Sequence, residues 1–168
     1  VLFDSINVRY ATDSTNMMVW TLHNPVRCAF VPAAGPVVLF EFSHCDHLSA
    51  GLGTVDEVRP TIAWFYFVSG SRTDEKAKVW AAEIADLVRS HGGGNKRLAV
   101  DRLDPAGLHA LTAEGISVHD GLVVMEGAKE IKSADEIDAM RASIAACEAG
   151  MDAMREALRP GITEQELW

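Results

Sequence analysis

The segment 43–47, SHCDH, is the densest local group of side chains that could do chemistry. His44, Cys45, Asp46 and His47 are each able to donate to zinc. Adjacent ligands rarely enclose one tetrahedral ion, and no second pair is spaced to complete the shell, so we predict a polar loop and no metal. A nucleophilic Cys45 would need an orienting third group and a pocket. An independent Cys/His hydrolase is therefore the least favoured reading.

A second chemical possibility is the segment 91–97, HGGGNKR, in which glycines and basic residues could form a phosphate loop. The segment follows a predicted helix instead of opening one, which is the wrong polarity for anion binding at a helix N-terminus. We therefore predict a helix end and a connecting loop there. The separated Cys28 and Cys147 are predicted to be core residues.

Length and composition limit the classes of protein to be considered. The 168 residues fit one domain, or one domain and part of the next, and 48% of them are hydrophobic. The formal net charge of −9 disfavours nucleic acid as a partner. Three cysteines without a CxxC pair favour a reducing, cytoplasmic setting, and no apolar run approaches the ~20 residues of a membrane helix. Because the first residue is Val1 and not Met, we expect further sequence in front of it.

The first half of the chain is predicted to be mainly β-structure. Segments 1–3 and 6–12 suggest two short strands, and 13–25 is either a helical turn or a loop. The segments RCAFVPA and VVLFEF, separated by Gly35 and Pro36, predict a hairpin, extended by a further strand at VDEVRPT or AWFYFV.

The second half alternates helix and strand. Apolar residues from Ala77 to Val88 recur at helical spacing, and Asp104 with Pro105 starts another helix. RLAV and ISVHDG are predicted strands. Strands followed by alternating helices and strands predict the α/β class, with one mixed sheet flanked by helices.

The last long helix is the most distinctive element. Ser133 and Glu136 form a capping-box pattern at its start. Its large apolar residues step by three and four, a narrow stripe that burial would stabilise by ~1.5–3 kcal/mol for each large side chain. We predict that the stripe packs against a second core or against a dimer partner. Its members are Ile137, Met140, Ile144, Cys147, Met151, Met154 and Leu158.

Two segments around this helix carry a family resemblance. Residues 131–137, IKSADEI, and 160–167, PGITEQEL, resemble the junction between the two domains of the creatinase, prolidase and aminopeptidase P family, the pita-bread metallohydrolases. The first residues, VLFDSINVRYAT, and the segment DRLDPAGLHAL are similar to the creatinase-type N-terminal domain. The resemblance implies a creatinase-like N-terminal domain over residues 1–128. Residues 129–168 would then be the linker and first helix of a truncated catalytic domain.

The resemblance also implies a division of labour. Catalysis in this family uses a pair of divalent metal ions (Mn, Co, Zn or Fe) held by the later domain, so this chain would carry no catalytic residue and no cofactor. It would pack against its own C-terminal catalytic domain, form a homodimer, and shape substrate access across that dimer. The position of Trp20, His23 and Arg27 makes them the candidates for the substrate-access loop, with Arg27 suited to a substrate carboxylate.

Three readings of the whole protein stay open on the sequence. The parent is expected to be an Xaa-Pro aminopeptidase or dipeptidase. The first alternative is a creatinase-fold lyase or hydrolase of a small non-peptide substrate, of the dimethylsulfoniopropionate lyase kind. The second is a stand-alone interaction module whose last helix docks on another protein.

Overall fold

The computed structural model describes residues 1–15, 20–21, 24 and 26–168. These residues form two compact units, Val1–Glu126 and Gly127–Trp168. The assignment of residues 129–168 to a catalytic domain stays a prediction.

The first unit opens with an extended segment and a short helix, α1 (Ser5–Thr12). The side chain of Asp4 accepts hydrogen bonds from the backbone N–H groups of Ile6 (3.0 Å) and Asn7 (3.2 Å). This cap supplies partners that the first helical turn otherwise lacks. The strand predicted over residues 6–12 is therefore wrong, because the cap and the burial of Val8 outweigh the β-propensity of the branched side chains.

The predicted hairpin is present in a three-stranded sheet. Strands β1 (Cys28–Phe30) and β2 (Val38–Glu41) pair antiparallel, with Cys28 opposite Phe40. Strand β3 (Glu57–Pro60) then pairs parallel to β2, which selects VDEVRPT as the third strand. Two further strands, β4 (Arg97–Val100) and β5 (Ser117–Asp120), form a parallel pair.

The backbone of residues 1–3 lies between these two sheets. Leu2 and Ala29 exchange two hydrogen bonds of 2.9 Å each, which ties the segment to β1. On the other side the Val1 nitrogen donates to the carbonyl of Ala99 (2.6 Å), and the N–H of Asp101 donates to the carbonyl of Val1 (3.4 Å). The single mixed sheet that was predicted is thus two small sheets in the described chain, joined by this segment.

Further helices follow β3, β4 and β5 along the chain. They are α2 (Tyr66–Ser69), α3 (Thr73–His91), α4 (Pro105–Ala113) and α5 (Gly121–Glu130), with short 3₁₀ turns at Asp46–Ser49 and Gly70–Arg72. Asp104 caps α4 by accepting from the N–H of Gly107 at 2.7 Å, as its sequence position predicts. Gly121 is the first residue of α5 and lies against the backbone that follows β4. A Cβ at this position would be only 2.6 Å from the nitrogen of Asp101, so the close contact requires glycine.

The first unit has a large and a small apolar cluster. Alternate residues of a strand point to opposite faces of a sheet, so Cys28 and Phe40 lie in the large cluster while Ala29 and Leu39 lie in the small one. The large cluster is centred on three aromatic rings. Trp64 lies 4.3 Å from Trp80, centroid to centroid, and Phe3 meets Trp64 edge-on at 5.6 Å.

The second unit begins inside α5 and consists mainly of α6 (Ala134–Ala157) and the short α7 (Glu164–Leu167). Both helices start with a complete capping box: Ser133 with Glu136, and Thr163 with Glu166. Nothing in α6 is buried. Among the described residues, no helix combines the length and apolar character needed to cross a membrane.

Candidate functional site

A buried ion pair lies where the β1–β2 hairpin ends. The antiparallel register places Arg27, just before β1, beside Glu41, the last residue of β2. The guanidinium donates to Glu41 Oε1 from Nε at 3.1 Å and from Nη2 at 2.8 Å. The side chains of Arg27 and Glu41 are only 3% and 1% exposed. Both charges have therefore left water and depend on each other.

The carboxylate of Glu41 accepts further hydrogen bonds from the loop that follows β2. The backbone N–H of Phe42 donates to Oε1 at 2.9 Å, and the hydroxyl of Ser49 donates to Oε2 at 2.7 Å. The Arg27 guanidinium carbon also lies 5.6 Å from the centre of the Phe42 ring, within cation–π range. This network, which we call the Glu41 cluster (Arg27, Glu41, Phe42 and Ser49), fixes both ends of the 42–49 loop.

The three residues expected in the substrate-access loop have different positions. Trp20 is 45% exposed. His23 lies outside the described residues. Arg27 lies in the interior with Glu41 as its carboxylate partner, so a substrate carboxylate would compete with an existing ion pair. The substrate-access role of the three residues stays a prediction.

The SHCDH segment forms an exposed turn. His44, Asp46 and His47 face solvent, Cys45 is half-buried, and His44 adopts a left-handed backbone conformation with φ of 66°. Cys45 donates its N–H to the carbonyl of Phe42 at 2.9 Å and precedes the 3₁₀ turn. Within the described ranges no group of three or more His, Cys, Asp or Glu residues could hold a metal ion.

Acidic residues after β4 are occupied by structural contacts. Asp101 accepts from the N–H groups of Phe3 (2.7 Å) and Asp4 (3.2 Å) and from the side-chain amide of Asn7 (2.9 Å). Asp104, besides capping α4, accepts from the indole N–H of Trp64 at 2.7 Å. These carboxylates hold the N-terminal segment and an aromatic core residue in place, as the Glu41 cluster holds its loop.

Sequence reasoning missed Glu41 and Asp101 as structural centres. The available signal was an acidic residue directly after a wholly apolar strand, in VVLFE and in RLAVD. Such a residue continues a buried strand, so its carboxylate needs internal donors. The donors come from residues up to 14 positions away for Glu41 and up to 98 positions away for Asp101, which the sequence pattern does not reveal.

The three cysteines have contrasting environments. Cys28 is fully buried, and burial raises the pKa of its thiol to about 12. It therefore stays protonated and unreactive at neutral pH, as its predicted core position implies. Cys147, also predicted as a core residue, is exposed. That expectation is wrong for the described chain because α6 has nothing packed over Cys147.

The apolar stripe of α6 is exposed along its whole length. Relative exposure runs from 38% at Ile137 to 67% at Met151, and Leu158, just after the helix, is 64% exposed. The predicted helix and its cap are confirmed. Its predicted role in packing against a dimer partner or a second domain stays a prediction.

No protein-family model matches the chain. Curated proteins that resemble it along its whole length are lyases of dimethylsulfoniopropionate. The dimethylsulfoniopropionate lyase DddP of Roseovarius nubinhibens is 42% identical over 173 aligned positions, and DddP of Roseobacter denitrificans is 40% identical over the same length. In both comparisons all of this chain is covered, but only 39% of the relative. The chain therefore spans about two fifths of the length of the curated relatives it matches.

Proposed function

We propose that this chain is a non-catalytic N-terminal part of a creatinase-type dimethylsulfoniopropionate lyase. The observation that carries the proposal is the 40–42% identity to two such lyases over the entire chain. The creatinase-type assignment draws its support from the junction-like segments 131–137 and 160–167. The Xaa-Pro peptidase parent expected first has no support from these relatives, which favour the lyase alternative.

The proposed reaction of the complete protein is an elimination. A base removes a proton from the carbon next to the carboxylate, the C–H electrons form a carbon–carbon double bond, and the bond to sulfur breaks with its electrons staying on sulfur. The sulfonium substrate thereby becomes dimethyl sulfide and an unsaturated carboxylate. Atoms and charges balance without an oxidant or a water molecule.

Catalytic groups for this step are proposed to lie outside this chain. The carboxylates of Glu41, Asp101 and Asp104 are already bound to donors of the first unit. The described residues also offer no cluster that fits a metal ion. A divalent metal pair (Mn, Co, Zn or Fe) would be held by the remaining part of the protein, where it could polarise the substrate carboxylate.

This chain would contribute homodimer formation and control of substrate access, in a cytoplasmic enzyme. The exposed Trp20 suits this role because the face of an indole ring attracts an onium cation such as a dimethylsulfonium group. Arg27 is better placed to stabilise the first unit through its buried pair with Glu41 than to leave that partner for the substrate.

The assay is release of dimethyl sulfide, measured by gas chromatography on the complete protein, with an Xaa-Pro dipeptide as the competing substrate. We expect dimethyl sulfide and no dipeptide cleavage, and we expect activity to survive His44→Ala, Cys45→Ser and His47→Ala together. Hydrolysis of the dipeptide without release of dimethyl sulfide would favour an Xaa-Pro peptidase as the complete protein. Loss of turnover in the triple variant, with unchanged thermal stability, would contradict the non-catalytic assignment.

A further inference from the structure

We draw no further inference here: the strongest candidate, the exposed apolar patch that Tyr66, Phe67 and Val68 form on α2, carries none because nothing in the structure shows what covers it.

Discussion

Truncation of Glu41 tests whether the buried ion pair anchors the first unit. In Glu41→Ala the Arg27 guanidinium, the Phe42 N–H and the Ser49 hydroxyl lose their common acceptor. Breaking one side of a buried pair typically costs about 3–5 kcal/mol, because an uncompensated charge stays in the interior. We expect the free energy of unfolding to fall by about that amount.

The measurement is urea-induced unfolding of the complete protein and its variants, followed by tryptophan fluorescence, since Trp64 and Trp80 lie in the core of the same unit. Glu57→Ala is the matched control: it also removes a glutamate bound to an arginine, Arg59, at 2.7 Å. Because Glu57 is 44% exposed, solvent screening reduces its expected effect to below about 1 kcal/mol.

A double variant sharpens the interpretation. Replacing both partners, as in Arg27→Met with Glu41→Leu, should cost less than Glu41→Ala alone, because no charge is then left buried. If Glu41→Ala and Glu57→Ala destabilise equally, the burial and pairing described for the Glu41 cluster do not govern stability, and the reasoning fails.

Four further results are expected. Gly121→Ala should destabilise the protein by more than about 1 kcal/mol, because the new Cβ would clash with backbone atoms. Gly127→Ala, in the same helix but with open space around the new Cβ, should be neutral or stabilising by up to about 1 kcal/mol. Thermal unfolding compares the stabilities of the two variants. Cys28 should resist thiol reagents at pH 8 until the protein unfolds, and rapid native labelling would contradict its burial. Hydrogen bonds from Arg59 hold the pKa of Glu57 below its usual value. The small stabilisation from this pair should therefore be complete above pH 5 and be lost as the pH falls through the lowered pKa of Glu57. The difference in unfolding free energy between wild type and Glu57→Gln measures this stabilisation, and a difference that grows on acidification would refute the prediction. Trp20→Ala should raise KM for dimethylsulfoniopropionate by roughly 2- to 30-fold, the equivalent of a cation–π contact of about 0.5–2 kcal/mol, while Tyr66→Ala, an exposed aromatic elsewhere, should leave KM unchanged.

Local signals in the sequence predicted much of the fold. The Asp104 cap, the Ser133–Glu136 capping box and the hairpin around Gly35 all appear as expected, because each depends on residues a few positions apart. The helix α1 was missed because its formation depends on the Asp4 cap and on burial of Val8, which compete with the local β-propensity of the segment.

Contacts between residues far apart in the sequence could not be predicted from the sequence pattern. The sequence identified Arg27 as a candidate but not Glu41 as its partner, since strand register decides which side chains meet. Likewise the stripe of α6 was recognisable from its spacing, and the structure shows it exposed, whereas what packs against it stays a prediction. Candidate sites were therefore predictable as residue types and faces, but not as assembled contacts.

The segment at residues 1–3 also constrains the order in which the two sheets can assemble during synthesis. Its partners include Ala99 and Asp101, about a hundred residues further along the chain. The β1–β2 hairpin can pair soon after its own residues leave the ribosome, but the two sheets cannot be joined until residue 101 has been synthesised. Closing so long a loop is slow compared with forming a hairpin. Residues 1–3 can therefore pair with β1 early, through Leu2 and Ala29, but they can join the two sheets only in a later assembly step.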